Sequence, residues 1–296
     1  MLRRQAFKFR IEPTGEQQRK LHQFAGACRL VFNKALALQQ ANRETGGKFI
    51  GYVAMARQLT DWRNGEETPW LKEAPVHPLQ HALKDLDRAY QNFFAKRADF
   101  PRFRKRGQHD SVRYPDPKQI KLDQGNRRIF LPKLGWLRYR HSRPVLGMLK
   151  NVTVSLSAGH WYVSIQTERE VASPLHASPL AVGIDLGVAR FATLWDGHQE
   201  TALEPLNSFA RHQQRLARAQ QQMARKTGFG RNWLKARTRV RRIHRQIGNA
   251  RHDYLHKASH AISKSHALVC IEDLQVGRNV RQKAGLNRAI LDQGWG

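Results

Sequence analysis

The chain has 296 residues, 40% of them hydrophobic, a length that suggests about two domains with room for a real hydrophobic core. No apolar run approaches the roughly 20 residues of a membrane-spanning helix, and the basic, alternating start is unlike a signal peptide. Two cysteines without a CxxC pair exclude a disulfide framework and a cysteine zinc pattern, and they fit a reducing cytoplasm.

Positive charge is the strongest feature of the composition. Fifty-two Lys and Arg face 23 Asp and Glu, which gives a formal net charge of +29 at pH 7. Such an excess repels itself unless a polyanion neutralises it, and nucleic acid is the expected partner because each phosphate contact releases counterions. A membrane surface fits less well, because the cations are spread through segments that also look like core. A merely solvated basic surface stays open as an alternative.

The chain is expected to begin with a strand over residues 3–12, followed by a long helix. Thr14 and Gln17 form a capping-box pattern at the start of this helix. One apolar face follows at three- and four-residue steps, formed by Leu21, Phe24, Ala25, Cys28, Val31, Phe32, Ala35 and Leu38. We therefore expect Cys28 to be a core residue.

Two more helices are predicted, over 52–62 and 79–93, before a basic segment at 100–115 in which aromatic residues alternate with cations. Because such a pattern is typical of surfaces that track a nucleic-acid backbone and stack on bases, we assign it to nucleic-acid binding. The residues concerned are Arg102, Arg104, Lys105, Arg106, Arg113 and Tyr114, with Phe100 and Phe103 interleaved. The alternative is that the two phenylalanines are core and the arginines are only solvated.

The next stretch, up to about residue 170, has a β pattern, with a hairpin turn expected at Ala158–Gly159. A short linker at 171–180 marks a domain boundary. A strand over 180–186 then returns over 189–195.

Two long basic helices follow this second group of strands. Between positions 205 and 252 there are thirteen Lys or Arg and no Asp or Glu, so an external polyanion is expected to compensate the charge. Apolar residues at Val240, Ile243, Ile247, Ala250 and Tyr254 step three and four apart, as in a packed helical hairpin. The cations assigned to phosphate contacts are Lys235, Arg237, Arg239, Arg241, Arg242 and Arg245.

Two carboxylates share an unusual context. Asp185 ends the apolar run Val182-Gly-Ile, and Glu272 ends the run Leu268-Val-Cys-Ile. An ionised carboxylate buried in such a place costs several kcal/mol unless it is paired or bound to a metal. Mg²⁺ suits such a pair, and a carboxylate metal site can cleave phosphodiesters. The alternative is that they are strand-end caps or turn residues, a role that Asp273 could also fill.

Several stretches, taken in order, resemble a known family. They are "PWLKEAPVHPLQHALKDLDRAYQNFF", "DFPRFRKRGQHDSVRY", "IFLPKLGWLRYRHSRP", "VGIDLGVARFATL", "ALVCIEDL" and "LNRAILDQGWG". This set is similar to the TnpB (OrfB) proteins of bacterial insertion sequences, which are related to type V CRISPR effectors. The likeness spans essentially the whole chain.

The resemblance implies an RNA-guided DNA endonuclease that uses a guide RNA from the transposon end, a double-stranded DNA target and a Mg²⁺-dependent RuvC site. It implies a multidomain α+β protein with a wedge-type β-barrel at 1–13 and 113–172 and a helical recognition insert at 14–112. An RNase H-like RuvC domain at 173–296 would hold Asp185 and Glu272 as catalytic, metal-binding carboxylates. Neither a membrane nor a small-molecule substrate is expected, and the location would be the cytoplasm, at the nucleoid.

One departure from the family is expected to matter for catalysis. The family's zinc ribbon and third catalytic aspartate lie beyond Gly296, so neither zinc nor a complete RuvC site is expected here. Asp292 is a poor substitute, since its stretch is helical in the family. The alternative function is therefore a nuclease-deficient, RNA-guided or RNA-binding module that occupies DNA. A generic basic nucleic-acid protein is the third hypothesis.

Overall fold

The protein is described here by a computed structural model, which covers residues 1–108, 110–173, 175–272 and 284–294. It divides into two compact units, Met1–Ala172 and Ser173–Gly296. Asp273, one candidate cap residue, lies outside the described residues. None of the helices in the described part is long and apolar enough to cross a membrane.

The first unit contains a seven-stranded antiparallel sheet in the order β2-β6-β7-β1-β5-β4-β3. Its strands are β1 (Leu2–Glu12), β2 (Ser111–Tyr114), β3 (Lys121–Asp123), β4 (Arg128–Leu131), β5 (Gly135–Tyr139), β6 (Met148–Ser157) and β7 (His160–Glu170). Between the described residues of β2 and β3 no ladder closes the sheet into a barrel. The fold class is mixed α+β.

The β6–β7 hairpin turns at Ala158 and Gly159, as the sequence predicts. Both residues have positive φ, 46° and 81°, as a two-residue turn of the type favoured between twisted strands requires. Glycine adopts this backbone without cost, whereas Ala158 accepts some strain.

Three α-helices pack on this sheet: α1 (Gly15–Glu44), α2 (Tyr52–Asn64) and α3 (Val76–Phe94). The predicted capping box is confirmed, because Thr14 Oγ1 accepts from Gln17 N and Gln17 Oε1 accepts from Thr14 N. The Gln17 amide also donates to the carbonyls of Leu134 (3.1 Å) and Trp136 (2.9 Å). One side chain thus starts α1 and ties it to the chain around β5.

The helices and the sheet of this unit share one hydrophobic core. Phe7 and Phe9 on β1 and Leu21 and Phe24 on α1 belong to the same buried cluster. The predicted apolar face of α1 is confirmed, although Leu38 is only partly buried. Cys28 lies in this core, and burial raises the pKa of its thiol to about 12. It is therefore an inert structural cysteine.

The second unit is built on a four-stranded sheet in the order β10-β9-β8-β11. The strands are β8 (Ala181–Asp185), β9 (Ala192–Trp195), β10 (Glu200–Leu203) and β11 (Leu268–Ile271). The β8–β11 pair is parallel, whereas β8–β9 and β9–β10 are antiparallel. The helices in the described part of this unit are α4 (Ser208–Ala224), α5 (Arg231–Ser265) and α6 (Ala284–Gln293).

We refer to α4, α5 and the turn between them as the basic hairpin. Its small core contains Leu216, Ala219, Val240, Ile243 and Ile247, which confirms the predicted three-and-four spacing in the middle of α5. Tyr254 departs from that prediction. It packs edge-on against Phe191, with ring centroids 5.0 Å apart, beside the cluster formed by β8 and β9. The long α5 therefore contacts α4 with one stretch and the sheet with another.

Candidate metal site and nucleic-acid interface

The parallel pairing of β8 and β11 determines where the two predicted carboxylates lie. In this ladder Ile184 is opposite Ile271. Asp185 and Glu272 are the next residues on the two strands. Neighbouring strands lie about 4.8 Å apart, and side chains in register share a face. Asp185 and Glu272 therefore occupy corresponding positions at the same ends of adjacent strands.

The expectation that both carboxylates are buried is wrong. Asp185 and Glu272 are exposed, and so is all of β11. Burial alternates along β8, where Val182 is 2% exposed and packs with Phe191 and Leu194. Asp185 lies on the opposite, open face of the strand, where a carboxylate keeps its hydration. Desolvation therefore cannot be the reason for a cation at this site.

Mutual repulsion is the physical argument that remains for a cation. Within the described residues no third His, Cys, Asp or Glu completes a metal-binding cluster with them. Two neighbouring carboxylates without a cationic partner favour a divalent ion between them. Their donor set consists of oxygen alone, which suits Mg²⁺ and disfavours softer metals.

Asp292 has a structural position that the sequence did not reveal. Its carboxylate is 6% exposed and accepts hydrogen bonds from Phe209 N (2.7 and 2.9 Å) and Ala210 N (3.2 Å) at the start of α4. Asn207, the residue before α4, provides no side-chain cap. Asp292 satisfies these free N–H groups from α6 instead, and Arg251 lies 3.4 Å away.

The cations of the basic hairpin differ in what they contact. Lys235 and Arg242 are exposed. Arg239 donates to Gln222 (3.4 Å), and the Arg237 guanidinium lies 5.3 Å from the Trp233 ring centroid. Arg241 and Arg245 are partly buried and take part in contacts of their own. Lys235 and Arg242 are thus the members of the predicted set most open to phosphate.

The basic segment at 100–114 is held tightly against α1. Asn33 accepts from Arg104 N (2.8 Å) and donates to Arg104 O (3.0 Å), while Arg29 forms a 2.8 Å salt bridge with Asp110. Phe100 packs edge-on against Tyr90 and Phe93 and is partly buried in the core. Phe103 is exposed. Of the two phenylalanines, Phe100 is thus a core residue, as the sequence-based alternative predicts, whereas Phe103 is not.

Arg104 is only partly exposed, and its guanidinium contacts other elements of the unit. Its guanidinium lies 3.8 Å from the Phe32 ring centroid and 3.3 Å from Asp85. Burial opposes ionisation of Asp85, but the His81 ring 3.4 Å away and the charge of Arg104 keep its pKa below the ordinary value. Arg104 is therefore mainly a structural cation.

The predicted stacking role of Tyr114 is wrong for this conformation. Tyr114 is 3% exposed and belongs to the core, because the period-two alternation of β2 turns it inward together with Val112. Burial raises the pKa of its hydroxyl, which has no hydrogen-bond partner among the described residues. Arg113 between them is half-buried. Arg102, Lys105 and Arg106 are the cations that this segment exposes.

The sequence-based assignment missed an aromatic pair in the turn of the basic hairpin. Phe229 is 83% exposed, and its ring centroid lies 5.3 Å from that of Trp233. The available signal was two aromatic residues four positions apart in a glycine-flanked, basic stretch.

Comparisons with known proteins assign the chain to a family. A sequence model described as "Probable transposase" matches residues 164–283, and one described as "Helix-turn-helix domain" matches residues 1–48. In this chain the latter region is strand β1 followed by the single helix α1.

Two relatives match along nearly the whole chain. "Putative RNA-guided DNA endonuclease InsQ" of Escherichia coli (strain K12) is 56% identical over 100% of this chain and 76% of that protein. A Streptomyces pristinaespiralis protein named "Putative RNA-guided DNA endonuclease" is 37% identical over 99% of this chain and 72% of that protein. Among solved structures, a Cas12f1–sgRNA–target DNA complex shares the fold, with a TM-score of 0.52 and 9% identity over 99% of this chain and 86% of that one. The chain therefore belongs to the TnpB (OrfB) family of insertion-sequence transposon proteins.

Proposed function

We propose that this protein is an RNA-guided DNA-binding protein of an insertion sequence, and that Asp185 and Glu272 form a Mg²⁺ site for phosphodiester cleavage. The observation that carries the proposal is the β8–β11 register, in which Ile184 pairs with Ile271, the residues just before Asp185 and Glu272. The same unit contains a basic hairpin with no acid between positions 205 and 252. The RNA-guided part of the proposal is supported by the relatives, both of which are named as "Putative RNA-guided DNA endonuclease".

In this proposal the finer architecture follows the family. The seven-stranded sheet would act as the wedge and the helices α1–α3 as the recognition insert. The unit from residue 173 onward would be the RuvC domain. Its parallel β8–β11 pair, flanked by antiparallel β9 and β10, is compatible with an RNase H-like sheet. The guide RNA would derive from the transposon end, and the location would be the cytoplasm and its nucleoid.

The chemistry divides between the ion and the residues of the chain. A bound Mg²⁺ would lower the pKa of a water and stabilise the leaving oxygen of a phosphodiester. Asp185 and Glu272 would each supply a carboxylate oxygen to hold it. Val182, packed with Phe191 and Leu194, fixes β8, so the position of Asp185 is set by a rigid strand. The cations Lys235 and Arg242 would hold nucleic-acid phosphates by charge.

Paired substitutions test the site. The full chain is expressed with its flanking DNA, and the RNA that copurifies with it is used as the guide. Cleavage of matching duplex DNA in Mg²⁺ is then compared among wild type, Asp185→Asn, Glu272→Gln and the matched control Glu200→Gln. Glu200 is an exposed carboxylate of the same sheet that pairs with Arg190 at 2.8 Å. We expect the first two variants to lose at least about a hundredfold in rate, as removal of an electrostatic catalytic group does, with the control unchanged.

A direct measurement of metal binding makes the result independent of turnover. Mn²⁺, used as a probe in electron paramagnetic resonance, should bind wild type and Glu200→Gln more tightly than Asp185→Asn or Glu272→Gln. Equal cleavage by wild type and Asp185→Asn would remove the pair from the mechanism. Guide-dependent DNA binding without cleavage at any metal concentration would select the nuclease-deficient alternative. Indifference between copurified and random RNA would select a generic basic protein.

A further inference from the structure

The turn of the basic hairpin presents an aromatic surface to solvent. We refer to residues 225–233, together with Arg237, as the hairpin tip. Phe229 is 83% exposed, its ring centroid lies 5.3 Å from that of Trp233, and the Arg237 guanidinium lies 5.3 Å from the Trp233 ring centroid. One turn of α5 separates Trp233 from Arg237, so the helix itself aligns the guanidinium with the indole.

This aromatic pair contributes little to the core of its own unit. The buried cluster of the basic hairpin contains Leu216, Val240 and Ile243, whereas Phe229 and Trp233 are outside it. Single exposed apolar residues need no explanation, but two rings in contact at the end of a helical hairpin, with their planes tilted by 40°, form a defined surface.

The backbone of the tip is strained at Phe229, whose ring is exposed. Phe229 has φ of +64°, a left-handed conformation that glycine adopts freely and other residues adopt at a cost. Glycines flank it at 228 and 230. A bulky side chain at the strained position, exposed and outside the core, points to a role other than folding.

The charge around the rings indicates the chemistry of the partner. Arg225, Lys226, Arg231 and Lys235 are exposed at or beside the tip. No Asp or Glu occurs between positions 205 and 252, so the local field is positive throughout. Aromatic rings set among backbone-binding cations are the pattern by which proteins hold single-stranded nucleic acid, with bases on the rings and phosphates on the cations.

We propose that Phe229 and Trp233 form a stacking site for an unpaired nucleobase of single-stranded nucleic acid. Arg237 contacts the Trp233 ring through a cation–π interaction, and Arg231 and Lys235 hold the phosphates on either side of the base. The site rests on the proposed nucleic-acid function but is independent of cleavage. It takes any base, because every base has an aromatic face.

Fluorescence of a base analogue tests the site in the full chain. A short single-stranded oligonucleotide that contains 2-aminopurine is titrated into wild type, Phe229→Leu, Trp233→Leu and the control Trp195→Leu. Trp195 is 54% exposed on β9 of the same unit. We expect wild type and control to quench the analogue. Each tip variant should bind roughly 5- to 150-fold more weakly, with the salt dependence unchanged, because a stack is lost and no phosphate contact is.

Conservative and strain-relieving variants separate stacking from folding. Trp233→Phe should keep most of the affinity, since it keeps a ring. Phe229→Gly should melt at the same or a higher temperature than wild type, because it removes the left-handed strain, and should still bind weakly. Parallel RNA and DNA oligonucleotides identify which strand the site prefers.

The outcomes distinguish this inference from the proposed function. Equal affinity and quenching in wild type and the Phe229→Leu/Trp233→Leu double variant would overturn the stacking site. The stacking site would also be overturned if the tip variants lost as much affinity for an abasic oligonucleotide, or for a poly-glutamate peptide, as for the oligonucleotide that carries the base. Absence of salt-dependent binding by every variant, wild type included, would instead overturn the nucleic-acid function itself.

Discussion

Two basic regions of the molecule carry similar cations in different surroundings. Acids lie close to the cations of the segment at 100–114. Asp85 lies 3.3 Å from Arg104, and Asp99 lies 3.8 Å from Arg102. Asp110 within the segment pairs with Arg29 of α1 at 2.8 Å. In the basic hairpin, positions 205–252 contain thirteen cations and no acid. The density of Lys and Arg is high in both, but the acids that pair with the hairpin, Asp253 with Lys257 and Asp292 with Arg251, lie outside the 205–252 stretch.

Nearby acids therefore distinguish cations with a structural role from cations that are expected to bind nucleic acid. The acids near the segment convert Arg104 into a structural residue, while Lys105 and Arg106 stay exposed. The hairpin sequence has no acid between positions 205 and 252, so we expect the repulsion among these cations to be relieved mainly by salt or by a polyanion.

The largest effect is expected from neutralising cations in the hairpin. The triple variant Lys235→Gln, Arg239→Gln and Arg242→Gln should bind duplex DNA about a hundredfold or more weakly at 0.1 M salt. The slope of log K against log salt should shrink by about 2 to 3, because each lost phosphate contact removes about 0.9. Glutamine keeps the helix propensity, so the fold should persist.

A matched triple variant in the segment gives the control. We expect Arg102→Gln, Lys105→Gln and Arg106→Gln to lower the slope by at most about 2, because Arg102 is already close to Asp99 and two cations remain for phosphate contacts. Both slopes are measured by fluorescence anisotropy over a salt series. Equal losses in the two triple variants would contradict the distinction between the regions.

A smaller effect, on stability alone, is expected for Arg104→Gln. The variant loses a cation–π contact with Phe32 and a partly exposed salt bridge with Asp85, together about 1 kcal/mol. The melting temperature should fall by about 2–4 °C in calorimetry. The salt slope of DNA binding should not change, and a clear drop in that slope would restore Arg104 to the binding surface.

The smallest effect is expected for Tyr114→Phe. The hydroxyl of Tyr114 is buried and has no partner among the described residues, so its removal should leave the melting temperature unchanged or raise it by about 1–2 °C. Oligonucleotide affinity should equal that of wild type. A loss of affinity with normal stability would show that Tyr114 becomes exposed and stacks on a base after all.

Local features of the chain were largely predictable from the sequence. The capping box at Thr14, the apolar face of α1, the turn at Ala158–Gly159 and the strand that ends at Asp185 each depend on a few neighbouring residues. Period and turn chemistry act over such short distances, and a sequence displays both directly. The acid-free stretch was equally visible, since charge can be counted without a fold.

The tertiary structure decided which side chains face inward and what they meet. Whether Tyr114 stacks or packs depends on the pairing of β2 with β6, and the place of Arg104 depends on Phe32 and Asp85, which are distant in sequence. The exposure of Asp185 and its position beside Glu272 follow from the open face and parallel register of the sheet. Such pairings are set by long-range contacts that no local pattern encodes. The sequence therefore identified which residue types could bind metal or phosphate, but not where their side chains lie.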